Sequence, residues 1–222
     1  MLKIENVQVF GFEPAIRGMR NPMNSWAKSD SFFSYDYDSL EFIPDRYISE
    51  EIGKNDYELM SKLAKSGPTH AKYRRMIVVY LDIVAPLYWW KEFDTYKIGT
   101  VANSCSTMHK IQEKEFTLDD FSHEHLGPDS LSVLQVVINQ LNLCRTVFLA
   151  SDHKNHWWQM IQLLPSSYNQ RRTVMLNYEV LAGLYPERKN HKLDEWHVFC
   201  DWVKSLPYSE LITGEVYDAP MP

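Results

Sequence analysis

The run Arg75 to Val84 (RMIVVYLDIV) constrains the fold most. It is rich in β-branched residues and nearly continuously apolar, as a strand buried on both faces must be. Ala85-Pro86 follows. Pro86 suits the first turn of a helix over Leu87–Tyr96, where its missing N–H would have been unpaired in any case.

Other segments carry their own periodicity. Leu2, Ile4, Val7 and Val9 roughly alternate with polar residues, which predicts a first strand. Pro14 to Arg20 is expected as a short helix. Asn21 to Pro44, rich in Ser, Asp, Tyr and Phe without a clear period, reads as a long loop. Asn55 to Lys65 (NDYELMSKLAK) has the stripe Tyr57, Met60, Leu63 and Ala64. Asn55 or Asp56 is expected to cap this helix, and Gly67-Pro68 to stop it. Ser130–Ala150 is the longest expected helix. Asn155–Leu164, Glu179–Tyr185 and Lys192–Lys204 are further helices, and Arg171–Leu176 is a strand. Helices with a few strands predict an α+β domain over 1–212, with a small central mixed or antiparallel sheet flanked by several helices. The remaining residues, 213–222, are expected as a flexible tail.

At 222 residues the chain is long enough for one well-buried core. Its net charge of −6 argues against bulk attraction to nucleic acid polymers or anionic membranes. Any bound anion must therefore sit on a local basic cluster. The three cysteines, Cys105, Cys144 and Cys200, are widely spaced and form no CxxC pair. Neither a disulfide framework nor a metal site follows from them. The N-terminus lacks the apolar run of a signal peptide. The longest apolar stretch is placed near Met76–Ala85, well short of the ~20 residues that span a bilayer. A cytoplasmic setting is the expectation.

Two segments have the chemistry of a site. Thr95 to His109 (TYKIGTVANSCSTMH) supplies small residues, hydroxyls and an amide, which suit a phosphate or a ring heteroatom. Its bland alternative is a polar connector. Pro165 to Arg188 contains Arg171, Arg172 and Arg188. Adjacent residues on a strand face opposite sides, so only one of Arg171 and Arg172 can join Arg188 in a phosphate clamp. The competing reading is a solvated basic face paired with Glu179 and Glu187. Cys105 with His109 four residues on permits a Cys–His nucleophile, but a small buried thiol is the commoner outcome. Trp89-Trp90 and Trp157-Trp158 are expected in the core and in subunit contacts. His123 and His125 alone make a poor metal signal.

Together the two segments resemble the flavin-dependent thymidylate synthases, in a distant form of the phage and prophage type. That family has a His before the strand, Ala-Pro opening a helix that ends in Arg-His-Arg, then a loop Asn-Glu-x-Ser-x-Arg-Tyr. Here His70 precedes the strand, Ala85-Pro86 follows it, and Thr95-Tyr96-Lys97 stands at the triplet. The loop reads Asn103-Ser104-Cys105-Ser106-Thr107-Met108-His109. Pro165, Arg171, Asn177 and Arg188 keep the family's later spacings. The resemblance implies a site built between subunits of a homotetramer that binds a pyrimidine deoxynucleotide such as dUMP. FAD and a reduced folate would carry out methyl transfer. It assigns Arg171, Arg188, Ser106 and Glu92 to the substrate, with Ser106 and Arg171 nearest the chemistry. His70, Lys97, Asn103 and Asn177 fall to the flavin. Departures are equally plain: Thr95 and Tyr96 replace Arg and His, Ser104 replaces Glu, and Met108 replaces an Arg at the substrate. A lost Arg–phosphate contact costs about 2–5 kcal/mol, and Met108 brings no positive charge to the ring carbonyls. Two functions stay open: a divergent synthase-like enzyme, or a catalytically inactive nucleotide-binding protein on the same fold.

Overall fold

The computed structural model describes residues 2–35 and 47–215. The elements are β1 (Lys3–Phe10), α1 (Phe12–Arg20), β2 (Phe32–Tyr35), β3 (Tyr47–Glu51), α2 (Lys54–Lys65), β4 (Val78–Pro86), α3 (Leu87–Phe93), β5 (Val101–Ser104), α4 (Thr107–Lys110), α5 (Pro128–Ser151), α6 (Lys154–Leu163), β6 (Asn169–Asn177), α7 (Tyr178–Arg188), α8 (Asp194–Lys204) and α9 (Glu210–Thr213). A four-stranded antiparallel sheet has the order β1-β4-β6-β5, and β2 pairs with β3 in a separate ribbon. The α+β class expected from the sequence is the class observed.

The chain divides into two compact units. The first holds Met1–Val7, Tyr80–Met175 and Leu193–Phe199; the second holds Gln8–Val79, Leu176–Lys192 and Cys200–Pro222.

Two clusters make the core of the first unit. In one, Trp89, Trp90, Phe93, Trp196 and Phe199 are all buried, with Trp89 and Trp196 4.7 Å apart between ring centroids. Aromatic pairs at such distances add to the area term of burial. In the other, Leu134, Ile138, Leu141 and Cys144 of α5 pack with Met160 of α6 and with Ile111, Phe116 and Phe121. The opposite face of α5 presents Val133, Val136 and Leu143 to solvent. With apolar residues on two faces, α5 is, by length and composition, long and apolar enough to cross a membrane. The expectation that apolar segments fall well short of that length, drawn from the continuous run near Met76–Ala85, is corrected for α5. The buried α5 face gives the helix a role in a packed core.

In the second unit Phe12 meets Tyr178 edge-on at 5.7 Å, and Met60 and Tyr73 are buried. Arg20 and Asp56 are buried together. Arg20 Nε donates to Asp56 Oδ1 at 2.6 Å, while Asp56 Oδ2 accepts from the Ser29 and Ser31 hydroxyls and from the backbone N–H of Asp30 and Ser31. Asp56 is thus committed inward and does not cap α2. Asp30 does that work from another segment, accepting from the N–H groups of Asn55 and Asp56. Gly11 has φ +101°, and a Cβ there would stand 2.1 Å from the Met76 carbonyl oxygen, so only glycine fits.

Several expectations need correction. Pro86 ends β4 with ψ 151°, and the helix after it stops at Phe93 instead of Tyr96. The 21–44 stretch contains 3-10 turns at Asn21–Met23 and Trp26–Lys28, then β2, in place of unbroken loop; its residues 36–44 lie outside the described residues. α7 runs through Pro186 to Arg188, three residues past Tyr185. Of the expected tail, Thr213 closes α9 and Gly214 is its left-handed cap; residues 216–222 lie outside the described residues.

Candidate functional site

β5 pairs antiparallel with β6, setting Asn103 opposite Thr173 and Ser104 opposite Arg172. The next backbone bond, Cys105 N–H to the Arg171 carbonyl at 2.9 Å, carries the register one step further. The chain then turns into α4, with Ser106 as its N-cap: Oγ accepts the His109 N–H at 3.2 Å. The pairing brings the end of β5 to Arg171. Ser106 and Arg171 consequently line one cleft of about 560 Å³, together with Cys105, Lys110, Tyr168 and Gln170.

The two adjacent arginines of β6 serve different partners, as strand alternation requires. Arg172 stacks over the Trp90 ring at 4.2 Å and donates to Asp94 at 2.7 Å. Arg171 is half-exposed, and its Nη2 lies 2.8 Å from Asp82 Oδ2 and 3.1 Å from Glu5 Oε2. Asp82 also accepts from the Thr173 hydroxyl at 2.6 Å and from the Asn6 amide at 2.8 Å. The Arg171 hydrogen bond, helped by Thr173 and Asn6, holds the Asp82 carboxyl well below the usual carboxylate range. The same bond raises the guanidinium of Arg171 above its ordinary value. Along the cleft, Lys110 pairs with Glu113 and Lys114 with Asp120. Each of these cations already has a carboxylate, so an incoming anion must exchange with it.

A second cavity of about 290 Å³ is lined by Phe93, Asp94, Tyr96, Lys97, Thr100 and Ala102. Thr100 Oγ1 is buried there without a hydrogen-bond partner, beside the exposed Lys97. One cation and one unmet hydroxyl fit the phosphate end of a flavin nucleotide. Thr95 does not line it, its hydroxyl donating to the Glu92 carbonyl at 2.7 Å, whereas Tyr96 does, with its ring edge-on to Trp196. The carboxylate of Glu92 accepts from the Trp196 indole N–H at 2.8 Å, tying it to the aromatic core.

Asn103 is exposed on the edge strand β5. His70, Asn177 and Arg188 belong to the second unit. His70 is exposed. Asn177 caps α7, its Oδ1 accepting from Glu179 N–H at 3.1 Å and Val180 N–H at 3.0 Å. Arg188 is half-buried in the last turn of α7. Among the expected residues, the structure brings Arg171 and Ser106 together in one cleft. Cys105 proves exposed, not the buried thiol expected. Sequence reasoning missed Asp82, Glu5, Thr173 and Asn6. One signal was available: Asp82 is the only acid in the apolar run Met76–Val84. An acid in a buried strand demands a partner. Thr100 was missed as well.

No family model matches the chain, and no curated protein does. Solved structures do. A crystal structure of thymidylate synthase X (ThyX) from Helicobacter pylori with FAD and dUMP superposes with a TM-score of 0.67 at 16% identity, covering 96% of this chain and 98% of that one. A second, of flavin-dependent ThyX from the same organism complexed with FAD and dUMP, gives 0.66 at 16% identity, covering 95% and 99%. The fold of the chain is therefore that of the flavin-dependent thymidylate synthases, over almost its whole length.

Proposed function

We propose that the chain is a divergent flavin-dependent thymidylate synthase-like protein that binds a pyrimidine deoxynucleotide of the dUMP kind. One observation carries this: Arg171 and Ser106 line one cleft, on a fold whose solved examples hold FAD and dUMP. Arg171 leaves Asp82 and Glu5 to take the nucleotide phosphate, exchanging one pair of oxygens for another. Ser106 already accepts the His109 N–H, which leaves its own O–H free to donate to the ligand. Lys110, on the same cleft, offers a second cation once released from Glu113. Arg188 and Glu92 complete the substrate set by resemblance. A bound flavin would supply hydride, with Lys97 and Thr100 at its phosphates; Asn103, His70 and Asn177 are assigned to it by the resemblance alone, and a reduced folate would be the carbon donor.

A second reading, nucleotide binding without methyl transfer, is favoured by the residues that depart from the family's pattern. Thr95 and Tyr96 are turned into protein contacts. Met108 offers an exposed thioether where ring activation calls for positive charge. The visible spectrum of the purified protein, before and after FAD, followed by calorimetric titration with dUMP, separates the two. Flavin uptake and dUMP binding support the enzyme. Nucleotide binding in a protein that ignores FAD supports the binder. A protein that takes neither removes both.

The exposed apolar face of α5 supports a homo-oligomer, and we propose the tetramer that the resemblance implies. With an acidic balance and three free cysteines, a cytoplasmic setting is part of the same proposal.

A further inference from the structure

A small cavity in the second unit has no part in the chemistry above. α2 contributes Tyr57, Ser61 and Lys65, the 3-10 turn Lys72–Met76 contributes Arg74, and α9 contributes Glu210 and Thr213. Its volume is about 180 Å³, smaller than the cleft of about 560 Å³ at Arg171.

Arg74 sets its chemistry. The residue is only 8% exposed, yet its Nε–H has no hydrogen-bond partner. The nearest carboxylate oxygen, Glu179 Oε2, is 3.6 Å from Nη1, an ion pair too long for a hydrogen bond. That oxygen also lacks a hydrogen-bond partner. A guanidinium is a planar fork of five donors and cannot lose its charge. Buried with a donor unmet, it leaves a desolvation cost that an oxygen acceptor removes. Lys65, exposed in the last turn of α2, adds a second cation at the cavity lining. The carboxylate facing it, Glu210, is engaged: its Oε1 accepts the Tyr57 hydroxyl at 2.7 Å, and burial with that bond pushes Tyr57 up to about 12. The Thr213 hydroxyl oxygen accepts the Glu215 N–H at 3.1 Å, and the Ser61 hydroxyl is hydrogen-bonded to Tyr57, which leaves the cations as the cavity's anion-binding groups.

We infer that this cavity binds a small oxyanion, of phosphate or carboxylate size, with the Arg74 fork as its anchor and Lys65 as its second cation. The site is independent of Arg171 and does not rest on the nucleotide reading.

The test is titration of the full chain with inorganic phosphate, followed by phosphorus NMR line width, with acetate and sulfate as further arms and dUMP as a competitor. The expected result is saturable phosphate binding that Arg171→Ala leaves intact. Lys65→Ala should weaken it several-fold, and Arg74→Lys, which keeps the charge and loses the fork, about tenfold. Acetate binding with no phosphate binding narrows the class to carboxylates and still supports the site. Where Arg74→Lys does not fold, the exposed Lys65→Ala decides. The inference is overturned if no oxyanion binds, if Arg171→Ala abolishes binding, if dUMP displaces phosphate completely, or if Lys65→Ala binds as well as the parent.

Discussion

Asp82 on β4 holds Arg171 on β6 through a 2.8 Å bond, and in doing so occupies the guanidinium that the proposed nucleotide needs. The carboxylate is itself fixed by Thr173 and Asn6. Phosphate and carboxylate compete for one fork, so Asp82 sets the threshold for binding. Asp82→Asn is expected to raise dUMP affinity about three- to tenfold, and Arg171→Ala to lower it by tens to thousands, as the loss of an Arg–phosphate contact implies. Calorimetry with both variants checks this; weaker binding in Asp82→Asn would make Asp82 a scaffold for Arg171 and not its competitor.

The pH dependence follows from the direction of the shift. Asp82 is depressed, so its pairing with Arg171 is complete above the ordinary carboxylate value and is lost only as pH falls through the lower folded one. Competition from Asp82 is constant between about pH 5 and pH 8. Affinity for a monophosphate should then rise through about pH 6, where the phosphate takes its second charge. A dUMP titration series across that range measures it; a flat profile contradicts phosphate capture by Arg171.

Stability should respond to Asp56. Burial alone would raise its carboxyl, but the bonds from Ser29, Ser31 and Arg20 together outweigh that and lower it. The pair therefore stabilises the fold above the unfolded carboxylate value and loses that contribution as pH drops through the folded one. Asp56→Ala strands a buried Arg20 and should cost about 3–5 kcal/mol at neutral pH. The difference from the parent should shrink in acid, as read by urea denaturation at pH 7 and near pH 3.

Thiol chemistry should split one against two. Cys105 is exposed, while Cys144 and Cys200 are buried and burial pushes the Cys200 thiol up to about 11. A thiolate is the reactive form. A colorimetric thiol reagent should label one cysteine quickly and the other two only on unfolding, and Cys105→Ser should remove the fast phase.

The outward face of α5 gives a fifth measurement. Val136→Glu and Leu143→Glu place charge on exposed apolar positions without touching the Leu134–Cys144 face. Light scattering should report a smaller assembly for the double variant with unchanged secondary structure. An unchanged mass would remove α5 from the oligomer proposal.

Much of this architecture is legible in the chain itself. β4, α5, α6, β6 and α8 follow from apolar periodicity, because each buries a face whose pattern survives whatever it packs against. β5 was not legible: all four residues are exposed, and the strand exists because β6 offers an open edge to bond. The α2 cap was misread for a related reason, since Asp30, some 25 residues away in sequence, supplies the acceptor and frees Asp56 for Arg20.

Local pattern was enough to set β4, β6 and the longer helices, the α+β class and the presence of Arg171 and Ser106 as anion-binding types, because periodicity and donor chemistry are properties of neighbouring residues. Partnership was decided only by the tertiary structure. Asp82 and Arg171 are separated by 89 positions, and nothing local says that they meet. The sheet register places them side by side, and that register depends on strand pairings distant in sequence.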